Sequence, residues 1–215
     1  MTREYNRPNR GSGSRAAWGW FLALGGLAVA VKGGWLGGVD RLVAQWAQGM
    51  RTPAVDQLAL AVTFFGSGPW TVGVACLMGL WWWRSRQQAM LMGFVLAWAL
   101  AVGVQAALRL WVAHWRPDTV VAFDAMTLWQ RFDLAGFPSG HAFRSAYLSG
   151  WWGQALVRRG TRWSQLGAAG LVGCVVLIGS TRLYLNRHWL TDVVGGWCLA
   201  LAALALACRF IRVGD

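Results

Sequence analysis

Three short blocks in this chain carry residue types and spacings that suit phosphoryl chemistry. In the last, Arg182 to Asp192, His188 and Asp192 stand four apart, which predicts one shared helical face at the start of an apolar stretch. A carboxylate so placed accepts from one imidazole nitrogen, fixes the tautomer and leaves the other nitrogen free as a nucleophile. It also stabilises the positive charge that develops as the imidazole attacks. In the middle block, Phe137-Pro138-Ser139-Gly140-His141, Ser139 is placed to cap a helix. The amide N–H groups of Gly140 and His141 would then form an anion site, helped by the helix dipole. Glycine lets a ligand approach the backbone closely, and His141 is placed to exchange a proton with a bound group. In the first block, Arg109 and Arg116 are seven apart, nearly two helical turns, so both guanidinium groups are expected on one face before Pro117 stops the helix. Two such cations can hold a phosphate bidentately.

Each block alone has a plainer reading. Arginines near a helix end anchor membrane interfaces, a Pro-Ser-Gly-His run caps helices, and a His–Asp pair can be structural. Asp192 within an apolar span favours function, because acids inside a membrane are expensive. Together the blocks supply three arginines, two histidines, one acid and a helix N-terminus, all at span boundaries on one predicted membrane face. That combination is a site for a phosphoryl group.

The elements that must position these groups are membrane helices. Of 215 residues, 56% are hydrophobic and only 13% charged, which argues against a soluble domain. The spans are expected at about 16–31, 70–83 with an earlier start, 88–112, 139–157, 163–180 and 188–208. A crossing helix needs roughly 20 residues. Trp70 to Trp83 alone would reach only about 21 Å, so Gly66-Ser67-Gly68-Pro69 is expected to be a break within a longer span. Residues 32–56 are expected to hold an external loop with a short amphipathic helix. The fold class is therefore all-α, a polytopic membrane protein of about six transmembrane helices. Residues 1–15 are expected to be a flexible basic cytoplasmic tail and residues 16–212 the membrane domain. The opening apolar run also fits a cleavable signal peptide; an even helix count favours its retention.

The formal charge of +12 comes from 19 Arg and one Lys against eight acids. Without a continuous basic tract or an interleaved RNA-binding pattern, topology and phosphate chemistry explain it better than nucleic acid does. Six spans put both termini on one side. That side carries eleven basic residues: Arg3, Arg7, Arg10, Arg15, Arg84, Arg86, Arg158, Arg159, Arg162, Arg209 and Arg212. The other nine include Arg109, Arg116 and Arg182, already claimed by chemistry. The positive-inside rule then places the termini in the cytoplasm and the His188 end outside. Cys76, Cys174, Cys198 and Cys208 lie in apolar spans without a CxxC pair and read as small buried hydrophobes, not as a disulfide or a metal site.

The three blocks resemble the signature motifs of the type 2 phosphatidic acid phosphatase superfamily, K-x6-RP, PSGH and SR-x5-H-x3-D, with every internal spacing kept. Arg109 stands where lysine is usual, keeping the charge but changing the hydrogen-bond geometry. Thr181 stands where serine is usual. The resemblance implies that His188 attacks phosphorus to form a phosphohistidine while Asp192 orients it. It implies that His141 protonates the leaving oxygen and then assists water. Arg109, Arg116, Arg182, Ser139 and the Gly140 amide would hold the phosphoryl oxygens. The implied enzyme needs no metal or other cofactor, acts on a membrane lipid phosphate or pyrophosphate of the undecaprenyl pyrophosphate or phosphatidylglycerol phosphate type, and is inhibited by vanadate. The implied setting is a bacterial cytoplasmic membrane.

Phosphotransfer to an acceptor hydroxyl is a close variant. An anion transporter is disfavoured by the lack of an inverted repeat and by charges gathered at one face. A silent scaffold is disfavoured by the intact His188, Asp192 and His141. A soluble vanadium haloperoxidase shares the motif pattern but not the six apolar spans. His114, inside the first block but at no signature position, is expected to be non-catalytic. Arg131, Asp133, Arg144 and Arg187 are expected to serve solvated or packing roles.

Overall fold

The computed structural model describes residues 12–118, 127, 130 and 133–213. Within them the chain is helical, with one isolated bridge between Trp115 and Ala135. Helix α1 (Ser12–Lys32) begins four residues inside the expected tail; residues 1–11 lie outside the described part. It meets α2 (Gly37–Gly49) at 87°, across a turn where Gly34 takes a positive φ of 73°. That conformation is open to glycine without strain. The short helix α2 is the one expected within 32–56.

Helices α3 (Pro53–Phe64) and α4 (Gly68–Arg84) are two halves of one 32-residue apolar run, broken at the expected Gly66–Pro69 segment. Thr52 caps α3 by accepting from the Val55 amide at 3.3 Å, and Pro53 occupies its first turn, where no N–H is missed. Helix α5 is Gln88–Val112, α6 Gly140–Arg159, α7 Arg162–Tyr184 and α8 Leu190–Val213. The α6–α7 turn is built from Gly160 at φ 67° and a Thr161–Ser164 capping box.

Among the described residues, four helical runs are long and apolar enough to cross a membrane, or five if the bent α1–α2 pair is one span. The expected six exceed this because α6, though 20 residues long, carries His141, Arg144 and Gln154 within it. The outer surface is apolar: Trp18, Leu22, Leu58, Leu77 and Trp163 are all more than 60% exposed. Soluble proteins do not sustain such a surface, whereas lipid covers it at no cost.

Helix α8 is the central post, with 67% of its apolar window buried against 11% for the α3–α4 run. It packs along α1, α5 and α6. Ala200, Ala202, Ala203 and Ala207 are fully or almost fully buried there; small side chains let helices approach closely where no hydrophobic effect drives them together. An aromatic cluster of Trp82, Phe94, Trp98, Tyr147 and Trp151 locks α4, α5 and α6 together. The Tyr147 hydroxyl donates to the Phe94 carbonyl at 2.9 Å, so its burial leaves no polar group unmet.

Candidate active site

The C-terminal ends of α5 and α7 and the N-terminal ends of α6 and α8 meet at one end of the bundle. After α7 the chain turns at Asn186, φ 56°, a conformation asparagine tolerates. The Arg187 and His188 amides both donate to the Arg182 carbonyl, at 2.9 and 3.2 Å. His188 therefore sits in a tight turn before α8, not in the helix as the four-residue spacing suggested. The contact forms nonetheless, because Asp192 lies in the first turn of α8 and its carboxylate points back. Its Oδ2 accepts from the Trp189 amide at 3.0 Å, the N-terminal half of a capping box. The same oxygen meets His188 Nδ1 at 3.2 Å. Asp192 is 0% and His188 3% exposed. A buried carboxylate accepts, so His188 carries its proton on Nδ1 and leaves Nε2 free. His188 precedes the span that starts at Leu190; burial pushes its pKa below the ordinary histidine value, with the Asp192 hydrogen bond opposing.

The first block departs from expectation in a similar way. Helix α5 ends at Val112, and Ala113 takes a left-handed φ of 51° as its cap. Arg109 is on the last turn of α5, but Arg116 lies beyond that reversal, so the two do not share a helical face. They still lie within electrostatic range of each other. The reversal also directs His114 inward: its Nδ1 meets the second carboxylate oxygen of Asp192, Oδ1, at 2.9 Å. Neighbouring backbone is clamped, with the Gly136 amide donating to the His114 carbonyl at 2.7 Å and Trp189 Nε1 to the Trp115 carbonyl at 2.6 Å.

In the second block the Phe137–Pro138 peptide is cis. The Ser139 amide donates to the Asp192 main-chain carbonyl at 2.9 Å, and Gln105 donates to the Pro138 carbonyl at 3.0 Å from α5. Ser139 occupies the N-cap of α6, as expected, but its hydroxyl makes no capping bond. Glycines let these parts close up. A Cβ on Gly196 would lie 2.6 Å from the Ser139 carbonyl oxygen, and one on Gly140 would lie 2.8 Å from Arg144 Nη1.

Arg182 Nη1 donates to Thr63 Oγ1 of α3 at 3.0 Å, and Arg144 Nη2 to the Gly66 carbonyl at 3.1 Å. The broken α3–α4 span is thereby tied to the site. His141 lies within electrostatic range of Arg116, Arg144, Arg182 and His188; Arg109 is in range of Arg144 and Asp192. The Nε atoms of Arg116, Arg144 and Arg182 and Oγ of Ser139 are buried with no hydrogen-bond partner among the described residues. Arg116, Arg144 and Arg182 thus gather around His141, and Arg109 joins them beside Arg116 and Arg144. An anion rich in acceptor oxygens satisfies such a donor set, and planar guanidinium forks match phosphate.

The eight residues singled out from the sequence, Arg109, Arg116, Ser139, Gly140, His141, Arg182, His188 and Asp192, are all at this end of the bundle. His114, expected to be non-catalytic, and Arg144, expected to serve a packing role, also lie at this end, His114 on Asp192 and Arg144 within range of His141. Arg187 pairs with Asp118 at 2.6 Å on the exposed rim, and Asp133 is exposed, within range of Arg109. Arg131 lies outside the described residues. His114 gave a weak signal, since its contact depends on the left-handed turn at Ala113. Arg144 was more legible: three residues after His141 on the same helix, it had to share its face.

A family model described as the PAP2 superfamily matches residues 90–213. The chain is 25% identical over 191 residues to phosphatidylglycerophosphatase B of Bacillus subtilis (strain 168), covering 86% of this chain and 89% of that protein. Its fold resembles the crystal structure of a transmembrane PAP2-type phosphatidylglycerolphosphate phosphatase from Bacillus subtilis, with a TM-score of 0.74 at 20% identity, across 93% of this chain and 98% of that one. It also resembles the Aquifex aeolicus LpxE crystal structure, with a TM-score of 0.59 at 19% identity, across 80% and 95% of the respective chains.

Proposed function

We propose that this chain, which belongs to the PAP2 superfamily, is an integral-membrane lipid phosphatase working through a phosphohistidine at His188. The observation that carries the reading is the pairing of a buried His188, held at Nδ1 by Asp192, with the buried Nε atoms of Arg116, Arg144 and Arg182 and the Ser139 hydroxyl, which have no hydrogen-bond partner among the described residues. A fixed nucleophile beside a preorganised anion cradle is the arrangement that phosphoryl transfer needs.

In this mechanism His188 Nε2 attacks phosphorus as the bond to the leaving oxygen breaks. His141 gives its proton to that oxygen; the bound phosphate brings the negative charge that a protonated His141 requires among the arginines. Water then attacks phosphorus, His141 takes a proton from it, and the N–P bond breaks to return His188 with its electron pair. Arg109, Arg116, Arg182 and Ser139, with the Gly140 amide, hold the phosphoryl oxygens, and Arg144 adds a fourth guanidinium. The arginines supply electrostatic stabilisation that metal ions supply in other phosphotransferases, so turnover is independent of added metal. Vanadate, which mimics the phosphoryl group, inhibits.

The Bacillus subtilis relative is named phosphatidylglycerophosphatase B, which supports a substrate of the phosphatidylglycerol phosphate type. Undecaprenyl pyrophosphate is the second substrate to test. The test is phosphate release by purified protein in detergent with EDTA, over a panel of lipid phosphates and pyrophosphates, beside His188→Ala. Release in EDTA that is lost in the variant is the expected result, and the fastest lipid identifies the substrate class. Equal release by both proteins rejects His188 as nucleophile. A folded wild type that releases phosphate only with an added alcohol acceptor is a phosphotransferase instead.

A further inference from the structure

Asp192 has more to hold than one histidine. Its Oδ2 takes both His188 Nδ1 at 3.2 Å and the Trp189 amide at 3.0 Å, while Oδ1 takes His114 Nδ1 at 2.9 Å. The terminal torsion of a carboxylate is broad and roughly two-fold. With donors on one oxygen only, the group can rock, and the His188 ring rocks with it. A donor fixed on the other oxygen removes that freedom.

His114 is mounted to be such a donor. The left-handed turn at Ala113 turns it in. The bonds to the His114 and Trp115 carbonyls, from Gly136 and Trp189, hold the backbone on either side of the ring. Because Asp192 accepts at both oxygens, both imidazoles donate from Nδ1. The two rings differ in exposure: the His114 side chain is 22% exposed and that of His188 2%.

We propose that His114 is a positioning residue for the reaction, holding Asp192 Oδ1 so that Oδ2 keeps His188 in its attacking tautomer and orientation. It acts through Asp192 and does not touch the phosphoryl group. The proposal rests on the phosphohistidine reading above.

The test compares His114→Ala, His114→Asn, Asp192→Asn and the His114→Ala/Asp192→Asn double variant, all as full-length protein in detergent. His114→Ala is expected to lower kcat about 10- to 100-fold, the range typical when a partner that orients a reacting group is removed. KM should stay within about threefold, because the interaction is not made with the substrate. Asparagine places an N–H where Nδ1 stood, so His114→Asn is expected to recover most of the rate. In the Asp192→Asn background, His114→Ala should cost less than about twofold, because residues that act as a unit are not additive. Full additivity, a loss confined to KM, or an asparagine variant as poor as alanine overturns the proposal. Should His114→Ala not stay monodisperse, His114→Asn against His114→Gln gives the contrast. Glutamine reaches the Nε2 position instead, so equal rates for the two overturn it.

A second readout does not need turnover. In protein labelled with 15N-histidine, His188 is expected to be a single Nδ1–H tautomer in the wild type and a mixture in His114→Ala. An unchanged His188 signal overturns the positioning role. Phosphate release retained by His188→Ala would instead overturn the phosphohistidine reading, leaving the tautomer measurement to decide the role of His114.

Discussion

His188 enters the site from a turn folded around the Arg182 carbonyl, with both Arg187 and His188 amides bonded to it. The ring is thus held from its backbone and, at Nδ1, from Asp192. Burial depresses its pKa, and Asp192 is the main group opposing that, with Arg182 and Arg116 adding to the depression. A nucleophile that must be neutral then stays active to lower pH than an ordinary histidine, whose pKa is about 6.5. The acid limb of kcat/KM is expected to fall below that value, while the alkaline limb of kcat reports the proton donor in the complex, where bound phosphate keeps His141 protonated. Asp192→Asn removes the group that favours the imidazolium, so the acid limb should move further down while the rate falls. An acid limb above the ordinary value would contradict the assignment. Gly136 offers a sharper steric test. A Cβ there would collide with Asp192 Oδ2, so Gly136→Ala must displace the carboxylate. Ångström-scale misplacement costs on the order of 100-fold in rate. Gly153→Ala, where a Cβ meets nothing within 4 Å, should leave turnover unchanged. The residue types and their spacing in the sequence pointed to this region, because Arg, His and Asp at span boundaries have few uses. The spacing did not reveal which neighbours share Asp192, since His114 arrives through a single backbone reversal at Ala113.

At the scale of elements, the sequence pattern marks apolar runs better than it marks what joins them. Helix α5 runs over the expected residues, and the Gly66–Pro69 break falls where glycine and proline required one. Helix α6 carries the polar residues His141, Arg144 and Gln154 and is not among the runs long and apolar enough to cross a membrane. The short helix α2 shows what pattern alone omits. Its Asp40 is only 3% exposed and accepts from the Thr191 amide at 3.0 Å and the Thr191 hydroxyl at 2.7 Å. A residue 151 positions away therefore caps the helix that presents Asp192, a long-range pairing with no local signature. Asp40→Ala would leave two buried donors unmet, at about 1–3 kcal/mol. In a chain of this size that is roughly a 4–8 °C fall in Tm for a mid-range loss. Heat-induced aggregation in detergent measures it, and an unchanged midpoint would show that water replaces the carboxylate. Activity should fall with it, since the first turn of α8 holds Asp192.

For the whole molecule, the remaining question is which way the site faces. The site sits at the end of the bundle where α5 and α7 finish and α6 and α8 begin. The α4–α5 turn, with Arg84 and Arg86, and the α6–α7 turn, with Arg158, Arg159 and Arg162, belong to the opposite end. Several arginines at the site end are assigned to the proposed phosphoryl cradle, so they should be discounted when reading topology from charge. Those at the two opposite turns have no such use. The positive-inside rule applies to short loops of this kind, and by it those turns, with the start of α1 and the end of α8, are expected in the cytoplasm. The site, with the Arg187–Asp118 pair on its rim, is then expected on the outer side. A C-terminal fluorescent-protein fusion, which matures only in the cytoplasm, is expected to be bright, and a C-terminal alkaline-phosphatase fusion inactive. A cysteine placed at Asp118 should react with an impermeant maleimide in intact cells, and one placed at Arg86 should react only after lysis. The reverse labelling pattern would place the site inside, and the lipid phosphate would then have to be presented from the cytoplasmic leaflet.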